Sequence, residues 1–142
     1  MIVDRIRYHI EDSLKEGGFS DDVDFSVAHP ARLEHGDYFT NVALVTAKKA
    51  GKNPREVAEG LKVALEAKNI PEVSRIEIAG PGFINFYLSE KFFSDSLETI
   101  LKQESKWGSN SAFSGERVLI EYTSPNLFKP LHIGNLVSNI VG

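Results

Sequence analysis

Gly80-Pro81-Gly82 lies between two stretches whose apolar residues alternate, Ile76 and Ile78 before it and Ile84, Phe86 and Leu88 after it. A period of two places those side chains on one face of an extended chain. The intervening residues turn the backbone sharply, so the simplest reading is two antiparallel strands joined by a tight turn. The run lacks the lysine and hydroxyl of a nucleotide cradle and leads into a strand pattern, not a helix, which argues against a phosphate loop. A hairpin with one apolar face has to be covered by a second layer.

Helical stripes supply that layer. Ile2, Val3, Ile6, Ile10 and Leu14 share a helical face, and Gly17-Gly18 provide the left-handed freedom that ends such a helix. Asn41 to Ala50 reads as a short helix with Gly51 past its end. Asn53-Pro54-Arg55-Glu56 starts another: Asn53 is the N-cap, Pro54 takes the first helical position and Glu56 is placed to reach back. Val57, Leu61 and Leu65 make its buried face. Ser89 can cap a fourth helix carrying Phe93, Leu97, Ile100 and Leu101. Asp21, Asp22 and Asp24 interleave with Val23, Phe25 and Val27, as in a half-exposed strand after an acidic turn. From Trp107 to Gly115 the chain is rich in Ser and Gly, a linker composition in which Trp107 is expected to bury its ring as an anchor. The expectation is an α+β fold: a two-layer domain of antiparallel sheet packed with helices over residues 1–106, all four helical stripes closing one core, then a linker over 107–116.

Residues 117–142 have a different grammar. Val118 to Tyr122 is a short β-rich apolar run that the following Pro-bracketed stretch cannot continue. Ile133, Leu136, Val137, Ile140 and Val141 then recur at helical spacing, giving strand, loop and helix in order. In nucleotide-binding α/β units, phosphates settle where N–H groups at a helix N-terminus point out of the loop, and a small residue there permits close approach. His132 and Gly134 stand at that point. The string Ser124-Pro125-Asn126, Lys129-Pro130, His132-Ile133-Gly134-Asn135 resembles the signature of arginyl-tRNA synthetases, class I enzymes whose catalytic domain opens with a strand and a HIGH-type motif. Gly36-Asp37-Tyr38-Phe39-Thr40-Asn41-Val42-Ala43 and Gly80-Pro81-Gly82-Phe83-Ile84-Asn85-Phe86 resemble strings of that family's N-terminal domain, in the same order. The likeness spans essentially the whole chain.

The resemblance implies that residues 117–142 begin a Rossmann-type catalytic domain, truncated here, and that the whole protein is an arginine-tRNA ligase. Such an enzyme activates arginine with ATP, with Mg2+ as its counter-ion, to arginyl-adenylate and transfers it to tRNA(Arg). By this resemblance His132, Asn135 and Lys129 are catalytic, and with Gly134 they form the ATP-binding set: His132 donates to the phosphates, Gly134 lets the nucleotide approach the backbone, and Lys129 lies over the phosphates. Asn135 stands where most relatives have a second histidine and retains a neutral hydrogen bond. Ser124 and Asn126 line the arginine pocket. The family's N-terminal domain packs on the tRNA elbow and touches its D-loop. In that segment His35 and Tyr38 offer rings for stacking, Asn41 offers a donor and an acceptor, and Asp37 lies between them. Arg32 and Lys48 or Lys49 could meet phosphates. From the residues alone, Gly36-Asp37-Tyr38 reads first as a turn, and only the resemblance raises RNA contact to an equal footing. The 142-residue chain is expected to be inactive by itself, and the full-length enzyme monomeric and cytoplasmic. The alternative is a free-standing RNA-binding module related to this domain, without catalysis.

Composition narrows the means of binding. Sixteen basic against twenty acidic residues give a formal charge of −4, the wrong sign for holding nucleic acid through an overall field, so any RNA contact has to be local. Cysteine is absent, which excludes disulfides and cysteine-metal sites. His9 and His29 have no partner at metal-ligand spacing, so no metal site is expected. The first residues are amphipathic without a signal-peptide core, and no window approaches membrane-spanning length, so no membrane partner is expected.

Overall fold

The computed structural model describes residues 2–19, 22–121, 128–130 and 132–141, with the backbone alone at 33, 138 and 139. The chain divides into two compact units, Met1–Glu104 and Ser105–Gly142.

The first unit opens with helix α1 (Ile2–Glu16). Gly18, at φ +70°, ends it: Phe19 N–H reaches Leu14 O at 2.9 Å and Gly18 N–H reaches Lys15 O at 3.0 Å, the paired closure of a Schellman motif. Phe19 then lies against the core. The strand expected around Val23 to Val27 is confined to β1 (Val27–Ala28). Val23 and Phe25 are buried and Asp24 is exposed, so the alternation is present, but residues 22–26 pair with no strand. Side chains take their backbone groups instead. Arg7 donates to Phe25 O at 3.1 Å, and Ser26 N–H donates to Asn41 Oδ1 at 2.9 Å.

After a single 3-10 turn (Leu33–His35) come β2 (Tyr38–Thr40), α2 (Val42–Ala50), α3 (Pro54–Ala67), β3 (Val73–Ala79) and β4 (Phe83–Leu88). Helix α2 stops at Gly51, in the left-handed region at φ +63°. Helix α3 starts as its sequence indicates, with Asn53 Oδ1 accepting from Arg55 N–H at 2.9 Å and Pro54 at the first turn. Strands β3 and β4 form the expected hairpin around Gly80-Pro81-Gly82.

The four strands make one antiparallel sheet in the order β1-β2-β4-β3. Register aligns Tyr38, Phe86 and Ile76 in one row and Thr40, Ile84 and Ile78 in the next. These rows face the helices. Ile6, Ile10 and Leu14 of α1, Val42, Ala43 and Ala47 of α2, and Val57, Ala58, Leu61 and Leu65 of α3 close over Ile76, Ile84 and Phe86 in a single core. Phe86 is fully buried at its centre; truncating such a ring costs about 3–5 kcal/mol. Lys68, just past α3, bonds Asp12 at 2.5 Å and Glu16 at 3.0 Å, pinning α3 to α1. The Asp12 carboxyl is held below its ordinary range, chiefly by that bond from Lys68.

Helix α4 (Glu90–Gln103) departs from expectation. Ser89 caps it, Oγ accepting from Phe92 N–H at 3.2 Å, but its apolar stripe closes no core: Phe93, Leu97 and Leu101 are 47%, 61% and 75% exposed. The helical face of the sheet is already filled by α1, α2 and α3, and α4 begins only where β4 has run out. A stripe at helical spacing shows that a face wants cover, not that the unit has a place for it.

In the second unit the described residues of the expected strand, Val118 to Glu121, form no strand, and Val118, Leu119 and Ile120 are exposed. A strand is made by its partner's hydrogen bonds, and apolar β-rich composition alone does not produce one. Trp107, expected to bury its ring, is 55% exposed. The expected helix forms as α5 (Ile133–Val141).

Candidate nucleic-acid face and motif helix

An antiparallel sheet covered on one side leaves the residues of opposite parity on the other. Here those residues are Phe39 on β2, Phe83, Asn85 and Tyr87 on β4, and Arg75, Glu77 and Ala79 on β3. Register sets Phe39, Asn85 and Glu77 side by side, and Tyr87 beside Arg75. The outward face of such a sheet is ordinarily polar, yet three of its positions are aromatic. The rings of Phe39 and Phe83 meet edge to face at 5.9 Å, both half-buried, with Asn85 between the aromatics. The Arg75 guanidinium lies 3.8 Å from the Tyr87 ring centroid and pairs with Glu77 at 2.8 Å. Tyr87 has one hydroxyl proton and two acceptors, Glu77 Oε2 at 2.9 Å and Glu34 O at 3.0 Å. The bond to the Glu77 carboxylate, helped by partial burial, pushes its phenol pKa up.

The residues that the sequence indicated for RNA contact lie at the margin of this face and have other partners. Gly36 adopts φ +91° and touches β4 so closely that a Cβ there would stand 2.7 Å from Phe86 O. Asp37 N–H donates to Phe86 O at 2.9 Å, and Asp37 Oδ2 accepts from Leu88 N–H at 2.8 Å, which stitches the turn to the central strand. Tyr38 is buried on the helical side, its ring 4.3 Å from that of His29, and burial pushes its phenol pKa up. Asn41 Oδ1 holds Ser26. His35 is exposed, 3.8 Å from Glu34. The apolar alternation of the hairpin marks only its core parity; the other face is marked by aromatic residues at Phe83 and Tyr87, positions that parity assigns to solvent.

In the second unit His132 precedes the first turn of α5. Its backbone N–H donates to Asn135 Oδ1 at 3.1 Å, and its Nδ1 accepts from Gly134 N–H at 3.1 Å. This is a reciprocal capping arrangement in which Asn135 takes the third helical position. A ring nitrogen that accepts carries no proton, so in the neutral imidazole Nε2 bears the hydrogen and is the donor. A Cβ at Gly134 would lie 3.0 Å from His132 Cε1, so the glycine makes room for this ring. Lys129 is exposed. Ser124 and Asn126 lie outside the described residues. Among the described residues no group of three or more His, Asp or Glu side chains could hold a metal ion, and no helix is long and apolar enough to cross a membrane.

The first unit is thus an open-faced α+β module, three helices on one side of a four-stranded antiparallel sheet and aromatic side chains on the other. Its residues 4–88 match the family model of the arginyl tRNA synthetase N terminal domain, and the chain belongs to that family. Among curated relatives, the arginine–tRNA ligase of Chlorobaculum parvum is 38% identical over 94% of this chain, and that of Thermotoga maritima is 36% identical over all of it. The chain spans about a quarter of the length of these relatives, 24% and 26% respectively. Among solved structures, the arginyl-tRNA synthetase of Plasmodium falciparum matches 99% of this chain with 26% of its own at a TM-score of 0.62; at 24% identity this likeness speaks for the fold. The Thermus thermophilus arginyl-tRNA synthetase matches 72% of this chain with 15% of its own at a TM-score of 0.54 and 26% identity.

Proposed function

We propose that this chain is part of an arginine–tRNA ligase, which activates arginine with ATP to arginyl-adenylate and transfers it to tRNA(Arg). One observation carries the reading: the family match over residues 4–88 and the string from Ser124 to Asn135 occur in one chain, and relatives named arginine–tRNA ligase align through both. That continuity disfavours a free-standing RNA module. On this reading residues 1–106 are the appended tRNA-binding domain, 107–116 a linker, and 117–142 the opening of the class I Rossmann-type domain. His132 donates from Nε2 to the ATP phosphates, Asn135 fixes its backbone, Lys129 offsets phosphate charge, and Ser124 and Asn126 face the arginine. Mg2+ travels with the ATP phosphates. The 142 residues alone do not aminoacylate, and the full-length enzyme works as a cytoplasmic monomer.

The tRNA contact is the free face of the sheet. A splayed base has a π-face, and Phe39, Phe83 and Tyr87, all partly exposed, present aromatic surface to it, while Asn85, only 5% exposed, lies beneath that surface. This moves the D-loop contact from Asp37, Tyr38 and Asn41, which hold the platform together, to the strands beside them; His35 remains as an exposed ring at the rim. The test is binding of a tRNA(Arg) transcript to the 142-residue chain at low salt. Phe83→Ala and Phe39→Ala should each weaken it, by about 1–3 kcal/mol for loss of a stacked base, with thermal melting checked in parallel. Undetectable binding, or indifference to both substitutions, refutes the assignment of this face.

A further inference from the structure

We propose that Arg75 is the phosphate anchor of the free sheet face, holding the backbone of the RNA strand whose base rests on Phe39 and Phe83. The inference rests on the reading of that face as the tRNA contact and adds the residue that supplies its charge.

The four strands contain one basic residue, Arg75, and one acidic residue, Glu77, and both project from the free face. With a net charge of −4, the chain has no general field to attract a polyanion, so a cation on the face itself has to do it. Arg75 is set up for that task. Its guanidinium lies 3.8 Å from the Tyr87 ring centroid, and its side chain remains 57% exposed. Stacking reduces the conformational freedom lost when a phosphate binds, and the planar fork can meet two phosphate oxygens at once. Tyr87 is itself fixed through its hydroxyl to Glu34 O and Glu77.

Distance fits as well. Arg75 and Tyr87 form one cross-strand pair, and Ala79 and Phe83 form another four residues along the hairpin. That separation is about 13 Å at the rise of a β-strand, within reach of a dinucleotide step in an unstacked loop. Glu77 is the competitor. Its ion pair with Arg75 is exposed on both sides, the kind that contributes little and exchanges readily. A phosphate can replace it without a buried charge being left behind.

The experiment measures the affinity of the 142-residue chain for a tRNA(Arg) transcript as a function of salt. Arg75→Ala should weaken binding about tenfold at low salt and flatten the slope of log K against log salt by about 0.7–0.9, one phosphate's worth. Arg75→Lys should keep the slope but bind several-fold more weakly, because the charge stays while the stacked fork is lost. Glu77→Gln should tighten binding by more than Glu11→Gln, which makes the same charge change on α1, away from this face. Phe83→Ala should lower affinity with the slope unchanged. An unaltered slope in Arg75→Ala, or equal effects of Glu77→Gln and Glu11→Gln, overturns the anchor even where Phe83→Ala behaves as stated and the face reading stands. No binding by the unaltered chain overturns both.

Discussion

Gly36→Ala separates two costs that a left-handed glycine can hide. At φ +91° an L-residue is strained by about 1–3 kcal/mol. The added Cβ would also stand 2.7 Å from Phe86 O and 3.3 Å from Phe86 C, both backbone atoms of the central strand. Neither can step aside cheaply, because β4 is paired with β2 on one side and β3 on the other. Relief requires the turn to lift, which stretches the 2.9 Å bond from Asp37 N–H to Phe86 O and the 2.8 Å bond from Leu88 N–H to Asp37 Oδ2. Weakening these adds about 1–2 kcal/mol, so the total is about 2–5 kcal/mol. Gly51 gives the control: its φ is +63°, but nothing lies within 4 Å of where its Cβ would be. Gly51→Ala should therefore cost only the strain, about 1 kcal/mol. For a domain of this size about 4–8 °C of melting temperature corresponds to each kcal/mol, so Gly36→Ala should melt roughly 8–40 °C lower and Gly51→Ala roughly 4–8 °C lower. Far-UV circular dichroism on heating, with urea titration to confirm an unchanged m-value, reads both. Equal shifts in the two variants would refute the argument, since the approach to Phe86 would then contribute nothing.

Tyr38→Phe should leave tRNA(Arg) affinity unchanged, because the ring is buried behind the sheet; a loss comparable to that of Phe83→Ala in the same binding measurement would return the contact to Tyr38. The Asp12–Lys68 pair gives stability a pH dependence. Asp12 titrates below its ordinary value when folded, so its contribution is present above that ordinary value and is lost as pH falls through the lower folded one. Lys68 is shifted up, first by its bond to Asp12, so its contribution is complete below its ordinary value and fades only as pH rises through the higher folded one. Melting temperatures across both limbs should fall less steeply in Lys68→Met than in the unaltered chain; parallel curves would show that the pair is not responsible. On the function proposed above, Lys129→Ala in the full-length protein should lower kcat for arginine activation on the order of 10²-fold with a much smaller effect on KM for ATP, measured by tRNA-dependent ATP–pyrophosphate exchange. Near-normal turnover would reduce Lys129 to a loop residue.

What the sequence determined was local. The end of α1 at Gly18, the Asn53 cap with Pro54 behind it, the Ser89 cap and the Gly80-Pro81-Gly82 hairpin depend on groups a few residues apart, and their energetics are complete within that span. The string around His132 was legible in the same way, as was the helix that follows it. What the tertiary structure decided was how side chains were shared among elements distant in sequence. Phe93, Leu97 and Leu101 repeat at the spacing of Val57, Leu61 and Leu65, yet only the latter are covered, because three helices already fill the inner face of the sheet. Tyr38, Asp37 and Asn41 were chemically fit to meet RNA, but their reach is taken up by His29, Leu88 and Ser26. Residues 22–26 alternate like a strand and still pair with none, because Arg7 and Asn41 arrive first. A side chain's chemistry is written in its identity, whereas its availability depends on which other groups the fold brings within hydrogen-bonding or packing distance, and those come from anywhere along the chain.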